Sequence, residues 1–379
     1  MRRTPDRPQP EQMQAARSSE STMRAFSMKE GKLGLRDIPR PVPGSGQMLV
    51  KTLACAICAS DHHHFDHPEV ARDDRSGMRV DAPHLDVVMG HEYCAEIVEY
   101  GPDTERAWRI GTRVTRIPVL MMTSGQTRIV GYAPDAPGGY GEYFLINEFL
   151  ARPVPDHIPA EIVAVNDAMA VGWYYTRAGT EAFQGKPSVP LVIGLGAIGM
   201  SVVIGLRKRG AGPIVAADFS ESRRKLAREL GADVVVDPAV ESPFAAWRQV
   251  AWGSADEIHD YMVMAGMTKQ VVYECAGKDG VLAGIIDNCA FGARVLSAGG
   301  SSQDTIPAVV AHMKGVNIQY GGGPQLADWY ECLDLVTRGE IDLTRFVGET
   351  VSLEQLPDAF ERARSSDSPI RIVCKPART

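Results

Sequence analysis

The sequence predicts an α/β protein: a mostly-β domain, then a doubly wound parallel sheet, then a return to the first domain. Three observations carry this. From Met23 to about residue 155, short alternating apolar runs are broken by Pro- and Gly-rich turns. From Ile162 the texture changes to short β-rich runs alternating with amphipathic helices, the pattern of a parallel sheet. After VNIQYGGG the chain resumes mixed structure and ends on a strand-like run, SPIRIVCKP.

The elements follow in order. MRRTPDRPQPEQMQAARSSE has basic residues but no apolar core, so residues 1–22 read as a disordered leader rather than a signal peptide. MRAFSMKEGKLGLRDIP alternates, and PVPGSGQ is a turn cluster leading into the strand-like MLVKTLAC. VMGHEYCAEIVEY is a further β-segment. EIVAVNDAMAVGWYYTRAGTEAF has helical spacing. PLVI, IVAAD, QVVYECAG and ARVLSAGG are the strands of the parallel series, and PQLADWYECLDLVTRG is a helix. The expected boundaries are 23–171, 172–319 and 320–379.

Bulk composition narrows the class. The 379 residues are 44% hydrophobic and 23% charged, ordinary for a globular protein, and the net charge of -7 favours neither nucleic acid nor an anionic membrane as partner. No apolar run approaches the roughly 18 residues of a spanning helix. Seven scattered cysteines do not make a disulfide scaffold, which points to a reducing, cytoplasmic setting.

Gly194-Leu-Gly196-Ala-Ile198-Gly199 follows a strand and opens an apolar helix. The first glycine permits a tight turn, the second lets backbone approach a pyrophosphate, and the third lets helix and strand pack closely. Asp218 ends the next strand, where a carboxylate can bond ribose hydroxyls and repel a 2′-phosphate. These residues predict an NAD site of Rossmann type; the bland alternative is a Gly-rich turn without a ligand. Arg223 and Arg224 lie close by, on what reads as a helix face: Arg223 is a candidate for the cofactor, and a solvated face is its alternative.

CAICASDHHHFDH, residues 55–67, concentrates thiols, imidazoles and acids. Taken with GHE at 90–92, GGYGEYFLI, NDAMAVGW, GLGAIG and VVYECAG, it resembles the zinc-dependent medium-chain alcohol dehydrogenase family from Met23 to the end of the chain. The resemblance implies a GroES-like catalytic domain around a Rossmann domain, and a homodimer or homotetramer. It implies one catalytic zinc held by Cys58, His91 and Asp167, with Glu92 as an alternative ligand and a helix N-cap or surface acid as the alternative for Asp167. The four-cysteine lobe for a second zinc is missing, as it is in polyol dehydrogenases. Ser60 matches the hydroxyl that first takes the substrate proton and His63 the terminal base. Asp61 matches an acid that orients His91, and Arg371 a cation near the cofactor pyrophosphate, with a surface ion pair as its alternative. Met121, Met122 and Trp173 lie in segments that border the pocket in this family, suggesting a bulky apolar alcohol; ordinary core packing is their alternative. The expected partner is thus a small alcohol or carbonyl compound. The rivals are a zinc-free quinone or alkene reductase, a polyol dehydrogenase, and a non-catalytic nucleotide binder. Cys55 reads as a buried thiol, and His62, His64 and His67 as solvated bystanders. The insertion before GHE reads as a surface loop.

Overall fold

The computed structural model describes residues 22–181, 188–256, 269–300 and 304–376. The expected leader lies outside these residues except for Thr22, which already opens a strand. The chain divides into two units, one of residues 1–165, 347–365 and 371–379 and the other of 166–346 and 366–370.

The first unit is mostly β. Thr22–Lys29 and Lys32–Pro39 form a hairpin whose loop residues Glu30 and Gly31 take φ of 51° and 68°. Two residues of positive φ give a turn whose twist matches the flanking strands. The largest sheet sets Gln47–Ala56 between Glu92–Tyr100 and Arg371–Lys375, antiparallel to both. These three strands deliver Cys58, His91 and Arg371 to the same end of the sheet. Phe26, Tyr93, Tyr140, Phe144 and Phe360 fill the core beneath, each worth roughly 2–3 kcal/mol of apolar burial.

The second unit is the doubly wound domain. Its six strands are all parallel and run Val234–Val236, Val215–Ala217, Ser188–Ile193, Lys269–Glu274, Arg294–Ser297, Asn317–Tyr320. The order reverses at Ser188–Ile193, so the Gly-rich turn leaves the sheet at the switch point, where such sheets bind ligands.

The unit boundaries correct the sequence reading. Helix Asn166–Glu181 belongs wholly to the second unit, so the first break falls at 165/166 rather than 171/172. Helix Leu326–Thr337 stays in the second unit as well, and the return begins at Val347 rather than 320. The reason is a seam between these two helices. Arg177 donates to both carboxylate oxygens of Asp328 at 2.7 Å, Trp173 Nε1 to Glu331 at 2.9 Å, and Trp329 Nε1 to Asp167 at 2.9 Å.

Candidate metal and nucleotide sites

CAICASDHHHFDH breaks at Cys58. Cys55 and Ala56 finish a strand; Ala59–Asp66 is a helix with Cys58 at its N-cap. Asp61 Oδ2 accepts from the Cys58 backbone N–H at 3.0 Å, satisfying a donor that a helix N-terminus leaves orphaned. Asp61 is wholly buried, accepts from Tyr140 Oη at 2.6 Å, and places Oδ1 3.2 Å from His91 Nδ1. Burial alone would raise its pKa; His91, Tyr140 and the Cys58 backbone outweigh burial and hold the carboxyl below its ordinary range. An ionised acid at Nδ1 orients the ring and leaves Nε2 for a ligand.

His91 reaches the site because Gly90 takes φ +96° and passes tightly over Cys55; a Cβ there would lie 2.7 Å from Cys55 Sγ. Donor atoms of Cys58, His91 and Glu92 then lie within 4.8 Å of one another, the one such metal-capable group among the described residues. Arg371 Nε and Nη2 donate to the two Glu92 oxygens at 2.8 and 2.7 Å, and Nη2 lies 3.7 Å from Cys58 Sγ. A thiol, an imidazole and a carboxylate around one point is a donor set that fits zinc.

Arg371 is 6% exposed and its charge is matched by Glu92, so the ion pair it makes is a buried one. Within the second unit, Asp167 Oδ1 accepts from Trp329 Nε1.

Ser60 Oγ lies 3.1 Å from Cys58 Sγ and 3.4 Å from His91 Nε2. The His63 ring is 4.7 Å from that of His67, and its Nε2 is buried without a hydrogen-bond partner. His62 and His64 are corrected from solvated to buried, 9% and 4% exposed. His62 packs on Phe360 and His64 on Tyr132, at ring distances of 4.1 and 4.7 Å. Burial pushes both pKa values down, that of His64 to about 4. His67 pairs with Glu69 at 2.9 Å. Trp173 is buried, with Arg209 3.9 Å over its ring. Met121 remains 43% exposed. The sequence reading missed Tyr140 and Tyr132, although each lies in or beside a quoted segment. Both sit in turns between strands, where no apolar periodicity marks which side chain will be buried.

In the second unit, Gly194 takes φ +89°, and a Cβ there would meet Ala276 N at 2.6 Å. A Cβ on Gly199 would stand 1.9 Å from Gly194 O, whereas one on Gly196 meets nothing within 4 Å. Gly194 and Gly199 therefore serve packing, and Gly196 caps the helix Ala197–Lys208 with open space in front. Asp218 Oδ2 accepts from Leu195 N at 2.7 Å and Oδ1 from Ser220 N at 2.8 Å, tying the acid to the glycine turn. Arg224 is held by Asp218 O, Phe219 O and Asp237, while Arg223 is half-buried with Nε unpartnered.

Residues 44–156 match the family of the alcohol dehydrogenase GroES-like domain, and residues 197–338 match the zinc-binding dehydrogenase family. The chain belongs to the zinc-dependent medium-chain alcohol dehydrogenase family. This dehydrogenase is 26% identical to L-threonine 3-dehydrogenase of Aeromonas salmonicida over 366 residues, covering 91% of this chain and 97% of that protein. In fold it is similar to 2R,3R-butanediol dehydrogenase of Bacillus subtilis, with a TM-score of 0.73, 23% identity, and coverage of 94% and 100%. Acetophenone reductase of Geotrichum candidum, solved with NAD, is similar at a TM-score of 0.74, 23% identity, and coverage of 94% and 97%. The family makes the dehydrogenase an oxidoreductase acting on CH–OH groups. No helix among its described residues is long and apolar enough to cross a membrane.

Proposed function

We propose that the chain oxidises a secondary or bulky apolar alcohol to a ketone or aldehyde with NAD, using one zinc per chain. The observation that carries this is the convergence of Cys58, His91 and Glu92 beside the Ser60 hydroxyl. We assign Cys58 and His91 as ligands and Glu92 as the third donor, with Asp167 as the alternative. A zinc ion held there supplies Lewis-acid polarisation of the alcohol oxygen. Ser60 takes the hydroxyl proton and passes it toward His63, whose neutral imidazole offers a ring-nitrogen lone pair. Asp61 holds the His91 ring, and Arg371 balances the Glu92 charge. The turn at Gly194–Gly199 cradles the pyrophosphate, and Asp218 favours NAD by excluding a 2′-phosphate.

A second reading is a polyol-type enzyme on a small polar secondary alcohol; similarity to proteins named for L-threonine and butanediol favours it. The zinc-free reductase is disfavoured by the thiol–imidazole–carboxylate cluster. We also propose a homodimer or homotetramer through the edge strand Asn317–Tyr320, beside which Val309, Met313 and Tyr320 are 77%, 71% and 61% exposed.

Metal analysis, with NAD and NADP reduction assayed on primary, secondary, cyclic and polyol alcohols, tests the reading. About one zinc per chain with NAD turnover of a bulky secondary alcohol supports it. Preference for polyols selects the second reading, and a zinc-free enzyme reducing alkenes replaces both. Asp167→Ala with unchanged zinc content confines the ligands to the first unit.

A further inference from the structure

Tyr132 is 3% exposed, and its Oη donates to Ser60 Oγ at 2.9 Å and lies 3.3 Å from His91 Nδ1. Its ring is 4.7 Å from that of His64, and the Arg79 guanidinium carbon is 5.4 Å from its centre. The backbone explains how it arrives. Gly131 takes φ +90°, and a Cβ there would lie 3.1 Å from Gly90 N, so the chain turns directly against the residue that precedes His91. The insertion over 68–89, so far without a role, closes on the same turn. Val80 N donates to Tyr132 O at 3.1 Å and Ile129 N to Met78 O at 2.9 Å. Arg128 Nη1 donates to Gly77 O at 2.8 Å, and Asp74 ties the loop through Ser76 N and Arg79 N, both at 2.8 Å.

We propose that Tyr132 is a positioning residue for proton transfer at Ser60, and that the 68–89 segment is the clamp that holds it. The proposal rests on the alcohol dehydrogenase reading above. A serine hydroxyl has one proton and two lone pairs; the Ser60 proton faces Cys58 Sγ at 3.1 Å, which leaves the two lone pairs to be assigned. Tyr132 keeps its own proton and occupies one lone pair. The other lone pair accepts the alcohol's proton while the proton Ser60 carried leaves toward His63, so Ser60 ends with one proton as it began. Tyr132 neither gains nor loses a proton; it sets the direction in which Ser60 accepts and donates.

Tyr132→Phe keeps the ring between Arg79 and His64 and removes only the hydroxyl. Zinc content and KM for NAD are expected to stay at wild-type values, with kcat about tenfold lower, the scale of one well-placed hydrogen bond. The solvent deuterium isotope effect on kcat is expected to grow. In a Ser60→Ala background, where there is no hydroxyl to aim, the same substitution is expected to change kcat less than about twofold. An equal tenfold loss with and without Ser60 overturns the positioning role. Arg79→Ala is expected to lower kcat by about threefold, and wild-type kcat in that variant overturns the clamp. A second cycle reads urea unfolding of the metal-stripped chain. Non-additive midpoints for Tyr132→Phe and Ser60→Ala support the hydrogen bond whatever the substrate, and additive midpoints overturn it. Coupled midpoints in a wild-type chain inactive on every alcohol uphold the bond but overturn the dehydrogenase reading and, with it, the relay role.

Discussion

The nucleotide turn and the metal cluster differ in how far apart their parts lie along the chain. Leu195 and Asp218, which join the glycine turn to its acid, are 23 residues apart. Arg371 and Cys58, which meet beside the metal donors, are 313 apart. The turn asks for backbone conformation and clearance, demands that only certain residue types meet, so it is written in the residues themselves. The cluster asks for side chains aimed at one point, which depends on the register of three strands and the packing beneath them. The first kind of site tolerates neighbours and punishes a change of backbone; the second punishes any missing partner.

The largest expected effect falls on the cluster. Cys58→Ala should lose zinc by metal analysis and lower kcat/KM on the order of 10⁴-fold, several kcal/mol of lost polarisation. Weaker effects in the presence of full zinc would mean that the thiol is dispensable. Arg371→Ala leaves the Glu92 carboxylate, 1% exposed, without its matching charge. Breaking a buried pair of this kind costs about 4 kcal/mol, read by urea denaturation. A loss under about 1 kcal/mol would show that water reaches the pair.

The turn gives the sharper contrast within one motif. Gly199→Ala puts a methyl against Gly194 O and should cost about 3 kcal/mol of stability. Gly196→Ala has open space and should leave the unfolding midpoint alone, while weakening NAD binding about tenfold by titration calorimetry. Equal effects of the two on stability would contradict the separation of packing from ligand approach.

His64 sharpens the comparison from the side of pH. Its folded pKa of about 4 lies below the ordinary value of 6.5, because the buried ring resists charging. Between those values the unfolded chain binds a proton that the folded chain refuses. Stability therefore falls as pH drops through this window, by up to about 3 kcal/mol once below it. His64→Leu should flatten that acid limb in unfolding measurements at pH 4–7; an unchanged slope would move the cause to other groups, the buried His62 first.

Much of the fold was legible. Alternation with Pro–Gly turns marked the β-rich unit, and strand–helix alternation marked the parallel sheet, since burial on one face or two imposes those periods. The helix Ala59–Asp66 was not marked, because SDHHHFD has no apolar stripe. Its inward imidazoles are buried only because Phe360 and Tyr132 arrive from elsewhere. The unit boundaries were misplaced for a related reason. Arg177, Asp328, Trp173 and Glu331 look like solvated helix residues until the two helices are set together.

By itself, then, the sequence determined the local requirements: where glycine must turn, where a carboxylate ends a strand, and which residue types are able to bind a metal. Only the tertiary structure decided who meets whom. It brought Arg371 to Glu92, Glu92 to Cys58 and His91, and Tyr132 to Ser60. The physical reason is range. Backbone conformation is governed by neighbours within a few residues, whereas the pairing of buried charges and hydroxyls is governed by strand register and by the cost of leaving any of them alone.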